Sequence, residues 1–267
     1  MVTRFLRSNS RINFLNVIRL LGSFYILALG LIPSELRAQW SQSTSGTTKT
    51  FNKVLYANGT FIAAGNGDVN AGAGAVVLKS TDGLAWTTAY ENTSSPYFAG
   101  CGVAYATGGW VVGGNWGKAL TSADGVSWVV RSTPLADPMN GVVANGASLV
   151  AACNVGRLMY SSDSGATWST KSSGTSNGLG GAAYGNGLYV VSGAGGTILT
   201  SPDGSTWTAR TSGTAQGLWG IGHANSMFVA VGQGGTIVTS PDGAIWTVRT
   251  SGVTSDLNGV TFGALNS

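Results

Sequence analysis

Charge is scarce in this chain: only 9% of its 267 residues are Asp, Glu, Lys or Arg, against roughly 25% in an ordinary soluble domain. It has one histidine, two cysteines and six prolines. No Ser-His-Asp relay or metal-ligand cluster can be assembled from a single His and scattered acids, so no catalytic residue, metal or cofactor is expected. Two Cys do not make a disulfide framework. No stretch after residue 39 keeps a 3.6-residue apolar period, which excludes long amphipathic helices. The apolar run at 20–32 is broken by Pro33 and is shorter than the about 20 residues a spanning helix needs.

Where charge does cluster, it clusters at the front. Arg4, Arg7, Arg11, Arg19 and Arg37 stand against Glu35 alone, and the rest of the chain carries nine bases and nine acids. The formal net charge of +4 therefore belongs to the leader. The remainder is neutral, without a basic patch, and nucleic-acid binding is not expected. A basic stretch, an apolar run and the small residue Ala38 after Leu36-Arg37 read in that order as a Sec-type signal peptide over 1–38. The domain is then 39–267, in a secreted, periplasmic or cell-surface protein. An uncleaved anchor is the other reading, and the membrane is a partner only in that case. No Cys at the cleavage point supports a lipid anchor.

What is abundant is glycine, 42 residues of it, among short runs of Val, Ile, Tyr, Phe and Trp. Gly supplies the positive φ angles of tight turns and is costly inside helices. The body is all-β. Trp40, Trp86, Trp128, Trp168, Trp207 and Trp246 recur at intervals of about 40 residues, the length of a four-stranded propeller blade. Within a unit, strand A is of the type ending at Tyr184 and strand B of the type starting at Tyr189. Strand C is the Thr197-Ile-Leu type, and strand D starts at the Trp. Asn186-Gly187 between A and B is a tight-hairpin signal. The C-to-D turn carries Asp82, Asp124, Asp163, Asp203 or Asp242 between an upstream Ser and a downstream Trp. An Asp there accepts bonds from the turn's own N–H groups, which assigns these five a structural role.

Ser161-Ser-Asp163-Ser-Gly165-Ala-Thr-Trp168 matches the Ser-x-Asp-x-Gly-x-Thr-Trp form at every fixed position, and the other four turns are one residue shorter. With these turns the chain resembles the bacterial neuraminidase, or Asp-box, repeat family of β-propellers over nearly everything after residue 39. The resemblance implies an exported propeller. It leaves open sialidases, other glycosidases, assembly factors resembling the photosystem II stability factor, and surface proteins of other kinds, because fold does not choose function. Sialidases of the family use an Arg trio, a Tyr-Glu pair and a Phe-Arg-Ile-Pro-like motif, and that motif is absent here.

The expected architecture is five complete four-stranded antiparallel repeats plus partial terminal strands, a strand D at Trp40 and a strand A at 258–262. A closed five-blade ring, an incomplete six-blade arc and closure with another chain all fit this count. A chain that is a piece of a longer repeat protein also fits. Up-and-down blades put the Asp turns and A-to-B turns on one face, and the B-to-C turns and D-to-A connectors on the other. Asp68, Glu91, Asp137 and Asp256 are therefore expected on the connector face. The repeat is also broken there, by an insert at 68–75, a long connector at 91–98 that includes Tyr97, and Trp116 and Arg157 in B-to-C turns.

Irregular loops on a rigid scaffold are where binding usually sits. The candidate ligand-face residues are Asp68, Glu91, Tyr97, Trp116, Arg157 and Trp219, and the expected partner is a protein or glycan held without catalysis. The alternative is a divergent sialidase-type glycosidase with Glu91, Arg157 and Asp68 as its remnants. Arg131, Lys171, Arg210 and Arg249 each follow a blade Trp by three residues, so the repeat explains them. His223 aligns with Tyr56, Tyr105 and Tyr184 as an aromatic core slot. Cys101 and Cys153, in neighbouring blades near one rim, are expected as buried thiols, with a disulfide as the other option. Asn52, Cys101, Asn140, Gly180, Trp219 and Asn258 share one position at the start of strand A. There Trp219 either plugs the channel or stacks on a ligand.

Overall fold

The computed structural model describes residues 18–20, 23–25, 45–66, 74–92 and 100–262. Near the start of the chain, β1 (Ile18–Leu20) and β2 (Ser23–Tyr25) pair antiparallel. The expected cleavage point, Trp40, Asp68 and Tyr97 lie outside the described residues.

Five four-stranded antiparallel sheets follow in chain order. Blade one is β3 (Thr50–Ala57), β4 (Thr60–Asn66), β5 (Ala75–Ser80) and β6 (Thr87–Glu91). Blade two is β7 (Gly102–Ala106), β8 (Gly109–Gly113), β9 (Lys118–Ser122) and β10 (Val129–Ser132). Blade three is β11 (Met139–Asn145), β12 (Ser148–Cys153), β13 (Arg157–Ser161) and β14 (Ser169–Ser172). Blade four is β15 (Leu179–Gly185), β16 (Leu188–Gly193), β17 (Ile198–Ser201) and β18 (Thr208–Arg210). Blade five is β19 (Leu218–Ala224), β20 (Met227–Gly232), β21 (Ile237–Ser240) and β22 (Thr247–Arg249). This is the expected fold: a β-propeller with five complete repeats.

Sequence chemistry sets each strand's place. Strand B is apolar on both faces because neighbouring blades cover both, and β12 is buried from Leu149 to Cys153. Strand D is the outer edge, short and exposed in β10, β14 and β22, which limits edge-to-edge pairing. Between A and B, Asn58-Gly59 and Asn186-Gly187 have positive φ at both residues, the geometry that joins twisted strands in two residues.

The core lies between blades. Ile62, Ala64 and Val77 of blade one meet Trp110, Val112 and Leu120 of blade two. Val150 and Leu158 of blade three meet Leu179, Tyr189 and Leu199 of blade four. The inner strands β3, β7, β11, β15 and β19 pack in chain order. Beyond β19 comes the expected partial strand. Leu257 is fully buried and donates its N–H to the Gly232 carbonyl at 2.9 Å. Residues 258–262 then run close beside Gly220 and Gly222, without forming a strand ladder.

The five Asp turns share one bonding pattern. Ser80, Ser122, Ser161, Ser201 and Ser240 are buried, each donating to the Asp Oδ1 two residues on, at 2.8–3.0 Å. Each Ser also accepts the N–H of the turn Gly, at 2.8–2.9 Å. In the short turns the Asp accepts two further N–H groups, as Asp203 does from Ser205 and Thr206. The longer turn accommodates its extra residue, Ser164, at φ 57°. There Asp163 bonds both the N–H and the hydroxyl of Thr167. These bonds favour the ionised carboxylate, and the two turn N–H groups hold Asp124 and Asp203 at about 2.

Candidate functional site

The two faces separate as the topology requires. On the Asp-turn face, Asn186 Nδ2 donates to the Pro241 carbonyl at 2.8 Å, tying an A-to-B turn to the next blade's Asp turn. On the other face, connectors bond B-to-C turns, as Asn177 Nδ2 does with Thr197 Oγ1 at 2.9 Å.

The mouth of the connector face is built by a bulge. The ladder between strands A and B skips one residue in four blades: Asn52, Asn140, Gly180 and Trp219. A bulge re-aims a side chain out of the ladder, and here it turns the shared strand-A position towards the rim. Asn140 Nδ2 donates to Asn154 Oδ1 and to the Leu179 carbonyl of the next blade, both at 2.9 Å. Asn52 repeats this with Asn66 Oδ1 and the Gly100 carbonyl, at 3.2 and 2.9 Å. Trp219 breaks the pattern. Its half-buried indole lies over Gly217 and reaches the bare Cα of Gly180, filling the slot that Gly180 leaves empty.

The three described acids of this face are each engaged. Glu91 is not in a loop, as the sequence suggested, but ends β6 opposite Val76. A bulge between Val77 and Leu78 lengthens strand D in blade one, and Glu91 forms an ion pair with Lys49. Asp137 pairs with Arg157 Nη1 at 2.6 Å. Asp256 accepts the Gly234 N–H at 2.8 Å. Arg157 closes the B-to-C turn of blade three and begins β13, the position that Lys118 holds at the start of β9. Trp116 lies in the B-to-C turn with φ 54° and 58% exposure. Among the described residues no group of three His, Cys, Asp or Glu side chains is placed to hold a metal ion.

Cys101 and Cys153 are not joined in a disulfide. Burial pushes the Cys101 thiol up to about 11 and the Cys153 thiol up to about 12, the latter also by the nearby Asp137 carboxylate. Cys153 stands where blades one, four and five carry Gly65, Gly193 and Gly232. A Cβ at those glycines would lie 1.8–2.4 Å from a backbone oxygen of the crossing chain.

The strand-D cations keep to the repeat. Arg131, Arg210 and Arg249 donate Nε to Thr121, Thr200 and Thr239 at 2.9–3.0 Å. Lys171 lies 5.4 Å from the centroid of Tyr160, which takes the Thr position. The His223 ring packs against Phe228, 4.4 Å between centroids, and covers Gly185.

A cleft of about 410 Å³ on the Asp-turn face runs between blades two and three beside Trp110, Arg131 and Asp163. A second, of about 510 Å³, lies between connector residues Thr175 and Thr214 and the B-to-C turn at Gly195 and Gly196 and is walled largely by backbone and small side chains.

No protein-family model matches the chain, and no curated protein matches it. Solved structures do. A structure described as YCF48 bound to D1 peptide is 20% identical, with a TM-score of 0.55 over 75% of this chain and 67% of that one. YCF48 from Cyanidioschyzon merolae is 13% identical, with a TM-score of 0.53 over 79% and 81%. A GH74 xyloglucanase from Xanthomonas campestris is 15% identical, with a TM-score of 0.54 over 72% of this chain and 37% of that one. At these identities the likeness is one of fold, and the fold is the β-propeller.

Proposed function

We propose that this chain is an exported, non-catalytic propeller of the Asp-box type that holds a protein segment or a glycan on its connector face. The observation that carries the reading is where the repeat is broken. Trp219 replaces the rim Asn at the mouth, while Trp116 and Arg157 break the pattern of the B-to-C turns. The Asp turns, by contrast, repeat one bonding pattern five times. Rigid repeats presenting an irregular rim are the usual arrangement of a binding scaffold. The YCF48 structure with a D1 peptide supports a protein ligand for a propeller of this kind.

Catalysis is not favoured by the acids. Glycosidases place two carboxyls roughly 5–10 Å apart across the scissile bond. Here Glu91, Asp137 and Asp256 belong to different blades or connectors, and each has its own partner.

The test is to express the chain with its leader, weigh the exported protein, and probe it on peptide and glycan arrays. Loss of residues 1–38 and array binding weakened about tenfold by Trp219→Ala are expected. A retained leader overturns export. Silence on both arrays overturns the binding reading, and hydrolysis of a sialoside or xyloglucan fragment overturns its non-catalytic part.

A further inference from the structure

The B-to-C turns of blades two to five are one structure with two kinds of sequence. In each, a backbone N–H closes on the carbonyl three residues back: Lys118 on Asn115, Arg157 on Asn154, Thr197 on Ala194 and Thr236 on Gln233, at 3.1–3.2 Å. The second residue of each turn is left-handed, with φ of 54°, 54°, 63° and 62°. In blades four and five that residue is Gly195 or Gly234, and the fourth is Thr. In blades two and three the turns read Asn115-Trp116-Gly117-Lys118 and Asn154-Val155-Gly156-Arg157.

Trp and Val are poor choices for this backbone. A side chain at positive φ is disfavoured, and a β-branched one is a genuine outlier. Neither side chain recovers the cost by burial, since Trp116 and Val155 are each 58% exposed. Lys118 and Arg157 are exposed beside them. The two turns flank one connector. Trp116 N–H bonds the Ala136 carbonyl at 2.7 Å, and Arg157 bonds the adjacent Asp137. A strained apolar group and a cation are thus presented twice, side by side, around a single acid, where the same fold elsewhere uses relaxed Gly and neutral Thr. Strain held at an exposed position points to use.

We infer that the turns of blades two and three form a docking surface for an acidic polypeptide segment bearing apolar side chains. Trp116 and Val155 meet the apolar groups, while Lys118 and Arg157 meet carboxylates. Two cations against Asp137 leave the patch net positive, which favours an acidic partner. The inference rests on the reading of the connector face as a binding face and narrows it to two blades and one chemistry.

The test compares the exported protein with the variant W116G/K118T/V155G/R157T, which copies the turns of blades four and five. Glycine suits this backbone, so the variant is expected to fold with an unfolding midpoint at or above that of the wild type. The probes are immobilised peptide pools of three compositions (acidic with aromatic, basic with aromatic, and uncharged), a glycan array, and vesicles of neutral and anionic phospholipid. Retention of the acidic aromatic pool by the wild type, weakened about tenfold or more in the variant, is the expected result. Retention of that pool unchanged in the variant overturns this inference and leaves the connector-face reading standing. Anionic vesicles bound in place of peptides, and lost in the variant, overturn the peptide partner. Silence on peptides and glycans alike overturns both readings.

Discussion

At the residue scale, stability concentrates in buried Ser hydroxyls and ionised Asp carboxylates. Ser201 is fully buried, accepts from the Gly204 N–H and donates to Asp203. Ser201→Ala strands that N–H, and the expected loss is about 1–3 kcal/mol in denaturant unfolding. Two titrations follow. Asp124 and Asp203 ionise at about 2 in the fold, below the ordinary 3.8. Their stabilisation is therefore complete above the unfolded value and lost as pH falls from about 4 towards 2. His223 is also lowered, by desolvation, from 6.5, and its Nε2 is buried with no hydrogen-bond partner. The fold favours the neutral ring, so stability declines as pH drops below about 6.5. A thermal unfolding series against pH should show two declining limbs, and His223→Phe should remove only the upper one while keeping the packing on Phe228.

At the scale of the strand and turn, the recurrent feature is the crossing of connectors over the ends of strands B. Gly232→Ala would place a Cβ 1.8 Å from the Gly217 carbonyl oxygen, a backbone atom that cannot swing aside. A cost of about 3 kcal/mol or a displaced connector is expected, read as a lowered unfolding midpoint. Trp116→Gly and Val155→Gly should act in the opposite sense, each raising stability by about 1 kcal/mol through relief of left-handed strain.

The Asn-Gly hairpins, the Asp turns and the Trp period were legible in the sequence because each is a local contact among residues a few positions apart. The bulge that turns Asn52, Asn140 and Trp219 to the rim depends on pairing between strands, and so does the extension of strand D to Glu91. Neither has a local signature. The kinship of Arg157 with Lys118 was present in the sequence as two Asn-x-Gly turns each followed by a base, a pattern that alignment on the blade Trp residues passes over.

For the whole molecule, blades support one another only through neighbours, so the last one relies on what lies beyond it. Val229 and Ile237 of blade five are only partly buried, whereas their blade-four equivalents, Val190 and Ile198, are fully buried against the next sheet. Among the described residues Leu257 packs on Val231 in a small cluster that Val253 and Val260 join. Leu257→Ala is expected to cost about 2–5 kcal/mol, with hydrogen exchange accelerated first in β20 and β21 and blades two to four little changed.

The proposed division of labour between the faces is the central claim: five repeated turns hold one face, and the other carries the irregular groups to which binding is assigned. Hydrogen–deuterium exchange on the purified protein, with and without the acidic aromatic peptide pool, measures it most directly. Protection is predicted at residues 115–118, 136–140 and 154–157, with the Asp turns unchanged. Protection confined to the Asp turns would contradict the account.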